Sequence, residues 1–184
     1  ERDVLHSTVG RPQQPELVHP SRVPTRKLAH PEGRGILLHS LAHIEFNAIN
    51  LALDLLVRFP DMPPQFYADW LKVAKEEAYH HTLLCSRLDA LGLSYGHYLA
   101  HDGLWQMAEK TKGSLLARLA LVPRLLEARG LDVSPAIREK LAAVGDTESA
   151  EVLDIILRDE IGHVAIGNRW FNEICHNESR DPIE

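Results

Sequence analysis

Cysteine is scarce in this chain of 184 residues: there are two, Cys85 and Cys175, with no Cys-x-x-Cys pair, which excludes a zinc ribbon. A disulfide between them is geometrically possible, but two reduced thiols in a cytosolic protein are the expectation. No uninterrupted apolar run approaches the ~20 residues needed to cross a bilayer. The N-terminus lacks the charged-then-apolar layout of a secretory signal, so a cytoplasmic location is expected and a membrane is not. The chain opens on Glu1 and not on methionine, so its first segment reads as the tail of something longer. No segment alternates in the manner of a strand over five or more residues, which leaves an all-α fold. A surplus of positive charge is also missing. The formal net charge of -6 argues against a surface devoted to nucleic-acid phosphates or anionic lipid.

What is present is ordinary globular material, 45% hydrophobic and 25% charged, enough for one domain with a sizeable core. Residues 1–34 hold Pro12, Pro15, Pro20, Pro24 and Pro31 with scattered arginine and histidine and no period. They read as an extended arm. From Gly35 the pattern turns helical, and residues 35–176 form the expected bundle, with 177–184 a polar tail. The first helix should run from about Ile36 to about Phe59, ended by Pro60. The second should begin at Pro64, run to Leu91 and stop at Gly92. A long crossover, Gly92 to Gly113, has room for a short helix around Leu104 to Lys110. A third helix is expected from Ser114 to Arg129, stopped by Gly130. A short one should follow from the Ser134-Pro135 cap to Val144, and a fourth long helix from Asp146 to Cys175. Two hairpins joined by a crossover match a ferritin-like four-helix bundle better than an up-down-up-down one.

Carboxylates sit where the helical period demands apolar residues. The face of Glu45 carries Leu38, Leu41, Ala42, Ala48, Ile49, Ala52 and Leu56; that of Glu77 carries Trp70, Val73, Ala74, His80, Leu84 and Leu88. Glu160 shares its face with Leu153, Ile156, His163, Val164 and Phe171, and Glu127 with Leu116, Leu119, Ala120 and Pro123. A carboxylate in such a stripe is costly unless paired, hydrogen-bonded or bound to metal. Two of these stripes repeat Glu-x-x-His, as Glu77-Ala78-Tyr79-His80 and Glu160-Ile161-Gly162-His163, which puts carboxylate and imidazole on one side of a helix. One glutamate from each of two helices plus a Glu-x-x-His from each of the other two is the di-metal pattern of ferritin-like proteins. The spacings from Glu45 to Glu77 and from Glu127 to Glu160 differ by one residue, as two pseudo-repeated hairpins would give. Without metal, most of these acids would have to be protonated.

The expected metal ligands are therefore Glu45, Glu77, His80, Glu127, Glu160 and His163, with Glu77 and Glu160 bridging. Mixed oxygen and nitrogen ligation suits two iron ions, with manganese or a mixed iron and manganese pair as alternatives. Glu76 and Asp159 lie about 100° round the helix from the motif glutamates, in solvated or supporting positions. His81 is expected to be packed or exposed. His39 and His43 are one turn apart, but His43 lies almost opposite Glu45, so a surface position is expected for the pair. Pro123 should kink the third helix.

With these residues in view, the sequence resembles a bacterial ferritin-like family known as domain of unknown function 455. The resemblance covers most of the chain: Gly10-Arg11-Pro12 through Pro15-Glu16-Leu17-Val18, His43-Ile44-Glu45, Ala74-Lys75-Glu76-Glu77-Ala78-Tyr79-His80, Leu126-Glu127-Ala128-Arg129-Gly130-Leu131-Asp132 and Arg158-Asp159-Glu160-Ile161-Gly162-His163-Val164-Ala165. It is similar to a di-iron hydroxylase group acting on a modified tRNA adenosine, and its superfamily includes ferritins, multicomponent monooxygenases and ribonucleotide reductase small subunits. The resemblance implies use of the metals to reduce dioxygen or to handle iron. A di-iron oxidoreductase that oxidises or hydroxylates a substrate is the first expectation, and a ferroxidase without organic substrate the second. A non-enzymatic interaction module stapled by metal is the third. The implied partners are dioxygen, an unidentified substrate and an electron donor; a homodimer is compatible with the sequence, and RNA is disfavoured.

Overall fold

In a computed structural model, the structure describes residues 10–121 and 128–182. Among the described residues there are helices and an isolated bridge but no strand, so the all-α expectation holds. A short 3-10 helix, Pro20–Arg22, lies in the arm, and the α-helices are α1 (Pro31–Arg58), α2 (Pro64–Ala90), α3 (Gly103–Lys110), α4 (Leu115–Leu119), α5 (Ala128–Ala143) and α6 (Thr147–Asn177).

Helix α1 begins earlier than the apolar period suggests. Pro31 to Arg34, assigned to the arm, are its first turn. Gly33 and Gly35 hide that turn from a propensity reading, but both are buried and serve close approach: a Cβ would run into the Lys27 backbone at Gly33 and into Leu93 at Gly35. The α1–α2 connection turns at Asp61, with φ 66°, and Pro64 starts α2. Gly92, with φ 72°, stops α2 as expected.

Two expected breaks do not occur. Helix α5 runs without interruption through Gly130 and through Ser134-Pro135. A proline removes one backbone donor, but Leu141 is fully buried and Ile137 and Ala142 pack with it against α6, and such tertiary packing overrides a local breaker. Ser114 does cap α4, its hydroxyl accepting from the Ala117 N–H. The middle of the expected third helix, including the Pro123 kink, lies outside the described residues. Gly145, with φ 80°, and the Asp146 cap on the Ser149 N–H close the turn into α6.

Helices α1 and α2, joined by a short turn, lie antiparallel, and so do α5 and α6. Helix α2 then packs antiparallel on α6: Asp69 meets Trp170, Glu76 meets His163, His80 meets Asp159 and Arg87 meets Ser149. A small apolar cluster of Leu51, Trp105 and Ala108 packs α3 on α1, and two large ones lie along the long helices. One holds Ala52, Leu55, Phe66, Trp70, Trp170 and Phe171; the other holds Leu37, Leu38, Leu84, Leu88, Leu153 and Ile156. Each long helix passes from one cluster to the other across its inward glutamate, so any charge in between is sealed from both ends.

The crossover corrects the surface expectation for His39 and His43. Both are buried. The Gly96 N–H donates to His39 Nε2 at 2.9 Å, and burial together with the neighbouring His43 and His97 lowers the His39 pKa to about 4. His43 Nδ1 lies 2.8 Å from the Tyr95 hydroxyl and its Nε2 lies 3.1 Å from the His101 carbonyl. The face opposite Glu45 is covered because residues 93–101 fold over it, a long-range packing that helical period does not report. The arm is fastened to the same crossover by Val18 N–H to Ala100 O at 2.8 Å and Ala100 N–H to Glu16 O at 3.0 Å.

Helix α1 is long and apolar enough to cross a membrane by length and composition, with mean hydropathy 1.3 over its most apolar window. Here it is a core helix: 56% of that window is buried inside the fold, and it carries Glu45, Asn47 and Arg58 into the interior.

Candidate metal centre

Five of the six glutamates and histidines singled out in the sequence meet between the two large apolar clusters. Glu127 lies outside the described residues. Helix α1 supplies Glu45, α2 supplies Glu77 and His80 one turn apart, and α6 supplies Glu160 and His163 in the same spacing. One donor atom from each of Glu45, Glu77, His80 and Glu160 lies within 4.8 Å of the other three. His80 Nδ1 is 3.3 Å from Glu45 Oε2 and 3.5 Å from Glu77 Oε2. His163 Nδ1 is 3.1 Å from the other oxygen of Glu77, Oε1, and 3.5 Å from Glu160 Oε2. Glu77 therefore stands at the centre, one oxygen toward each histidine.

The outer nitrogens of the two histidines are held crosswise. His80 Nε2 lies 3.1 Å from Asp159 Oδ2 on α6, and His163 Nε2 lies 3.0 Å from Glu76 Oε2 on α2. Each brace is the residue immediately before the glutamate of the opposite Glu-x-x-His. A carboxylate on Nε2 places the ring proton there and turns the Nδ1 lone pair into the cluster, the arrangement that raises ligand basicity in metal-binding histidines. Of the solvated or supporting positions expected for Glu76 and Asp159, the structure shows the supporting one. His81 is packed: its Nδ1–H donates to the Ala42 carbonyl at 2.8 Å, and its ring abuts Phe46 and Tyr95.

The inward atoms are left without ordinary partners. Glu45 Oε2, both oxygens of Glu77, His80 Nδ1, Glu160 Oε2 and His163 Nδ1 are buried and make no hydrogen bond among the described residues. Buried polar atoms are nearly always satisfied, and six orphans aimed at one space fit a cation. Without one, protons must balance the charge. Burial, and then the charge of Glu77, raise the pKa of Glu45 well above the carboxylate range; burial likewise raises Glu160. Glu77 is also buried, but contacts with Glu45, His163 and His80 outweigh that and hold its pKa down. Burial disfavours charge on both histidines, yet the facing carboxylates raise His80 to about 10 and His163 to about 11. Carboxylates and imidazoles together suit a divalent transition metal, while zinc usually takes fewer carboxylates and calcium no imidazole.

Fold and site define an all-helical protein with a buried cluster of glutamate and histidine that can hold a metal ion. The chain belongs to the family described as Protein of unknown function (DUF455), which it matches along residues 1–184. An uncharacterized protein of Haemophilus influenzae is 47% identical to it over 180 residues, covering 94% of this chain and 62% of the relative. The chain therefore spans less than two thirds of that relative's length. No solved structure matches it.

Proposed function

We propose that the chain is a ferritin-like four-helix bundle holding two iron ions, and that it is a di-iron carboxylate oxidoreductase using dioxygen to oxidise or hydroxylate a substrate not yet identified. The observation that carries this reading is the set of six orphaned, buried donor atoms on Glu45, Glu77, His80, Glu160 and His163. Two antiparallel hairpins, α1–α2 and α5–α6, with α3 and α4 in the connection between them, support the bundle topology. Glu45 and His80 would serve one ion and His163 the other, with Glu127 assigned to the second from the sequence pattern. Glu77 and Glu160 would bridge.

Bound iron supplies the redox chemistry of dioxygen, which side chains alone do not offer. The chain's own contribution is position and exclusion. Asp159 and Glu76 hold the proton on the outer nitrogen of each histidine, so the inner nitrogen is free to ligate. Leu38, Leu84 and Leu153 on one side and Trp70 on the other keep bulk water from the cluster.

Metal content per chain after anaerobic reconstitution, followed by the optical spectrum on adding dioxygen, tests the proposal. Two irons and a transient oxygen-dependent absorption are expected. No bound iron, or a single tightly held zinc, overturns it. Uptake of many irons per chain would mean storage in place of substrate oxidation.

A further inference from the structure

Hydroxylation of a C–H bond by dioxygen consumes two electrons and two protons beyond those of the substrate and releases one oxygen atom as water. A buried centre must receive those electrons through some part of the protein surface. At the α2–α6 seam the outer nitrogen of each histidine meets a part-exposed carboxylate, Asp159 for His80 and Glu76 for His163.

The same seam has an unusual distribution of charge. Three ion pairs lie along it: Lys72 with Glu76 at 3.8 Å, Arg158 with Asp159 at 2.9 Å, and Arg169 with Asp69. In each pair the acid is turned inward and bonded across the helix interface, to His163, His80 and Trp170 respectively. The acid side chains are 10–29% exposed and the basic ones 50–69%. Lys75, also exposed, adds a fourth cation. On α2 from 66 to 82 the acids are Asp69, Glu76 and Glu77, and on α6 from 155 to 172 they are Asp159 and Glu160; all five are committed to inward contacts. A chain of net charge -6 thus presents a face of outward cations over its candidate metal centre. Tyr79, about half exposed, lies in this face within the field of Arg158. At Gly162 a Cβ would meet nothing, so the surface of α6 is open at that point.

We infer that this α2–α6 face is the docking site of a small acidic one-electron carrier protein, whose carboxylates meet Lys72, Lys75, Arg158 and Arg169 around Tyr79. The inference rests on the oxidoreductase reading and names its electron source. Outward cations steer an acidic partner and fix its register, and the position over Glu76 and Asp159 makes the path to the metal ligands short. A nucleic acid is the poorer fit, because a polyanion running beyond the four cations meets the field of an acidic chain, whereas a small partner seated on the patch meets mainly the cations.

The test uses the full chain without metal, labelled with nitrogen-15, and an acidic [2Fe–2S] ferredoxin as the probe, at about 20 mM salt where exposed charges are weakly screened. Amide shifts concentrated in 72–79 and 158–169 are expected. Lys72→Glu with Lys75→Glu should weaken binding at least about tenfold, while Lys140→Glu, on α5, should leave it unchanged. In the iron-loaded chain the same double variant should slow reduction by reduced ferredoxin and leave reduction by dithionite as it was. No binding at low salt, shifts on another face, or tighter binding of a short RNA to these residues would overturn the inference. The binding arm needs no iron, so a chain that fails to load iron sinks the oxidoreductase reading without deciding the docking result, and the converse also holds.

Discussion

His80 Nε2 lies 3.1 Å from Oδ2 of Asp159, a residue of the opposite helix that directly precedes Glu160. The pair ties the orientation of a ligand on α2 to the backbone of α6, and Glu76 does the reverse for His163. Loss of such a partner commonly lowers metal affinity ~10–100-fold. Asp159→Asn and Glu76→Gln are each expected to fall in that range by competition with a chelator, at unchanged helix content. Wild-type affinity in both variants would show that the braces do not act on the metal.

Glu77 faces both histidines with different oxygens. Glu77→Ala should remove most bound metal at once, a larger loss than the ~10–100-fold expected of a brace, whereas Glu45→Ala should weaken chiefly the ion served by His80. Metal analysis after desalting separates the two. Equal metal content in Glu77→Ala and wild type would break the assignment.

Protons and metal compete for the same nitrogens. In the metal-free chain burial opposes charge on His80 and His163, but the facing carboxylates prevail and raise them from 6.5 to about 10 and about 11. A histidine pKa raised by folding stabilises the fold fully below its unfolded value, and that contribution is lost as pH rises through the folded value. The metal-free chain should therefore lose stability in alkali between these limits. Metal loading should release protons and tighten as pH rises. Calorimetry in two buffers of different ionisation enthalpy reads the release directly, and a value of zero would contradict it.

Arg118 is almost wholly buried and is held by Asp54, the Thr111 hydroxyl and the Ala108 carbonyl. Asp54→Asn strands that charge and should cost about 3–5 kcal/mol, read as a shift of the urea midpoint. Burial raises the Asp54 pKa, but hydrogen bonds from Arg58 and Arg118 outweigh it and leave a net lowering. Its stabilisation is present above the unfolded aspartate value and disappears as pH falls through the folded one. A midpoint unmoved by Asp54→Asn would assign the clasp no role in stability.

The arm reaches the crossover at a glycine. Gly96 has φ 100°, and a Cβ there would sit 2.9 Å from Cβ of Gln14. Gly96→Ala should cost about 1–2 kcal/mol for the backbone conformation and loosen the arm, so that proteolysis within residues 10–18 accelerates. Cleavage at the wild-type rate would mean that the arm holds without this contact.

The sequence alone determined the helical character and the inward placement of Glu45, Glu77, His80, Glu160 and His163, because a period of 3.6 residues says which side chains share a stripe. It also put Glu76 and Asp159 about 100° away, in solvated or supporting positions, without deciding between them. Only the tertiary structure decided what lies across from each stripe. That His80 is braced from α6 and His163 from α2 depends on the antiparallel register of the two helices, which no local pattern encodes. The burial of His39 and His43 depends on a crossover that packs from more than fifty residues away. The unbroken run of α5 through Gly130 and Pro135 was decided in the same way, because propensities are small local free energies and burial of an apolar face against a neighbouring helix is larger.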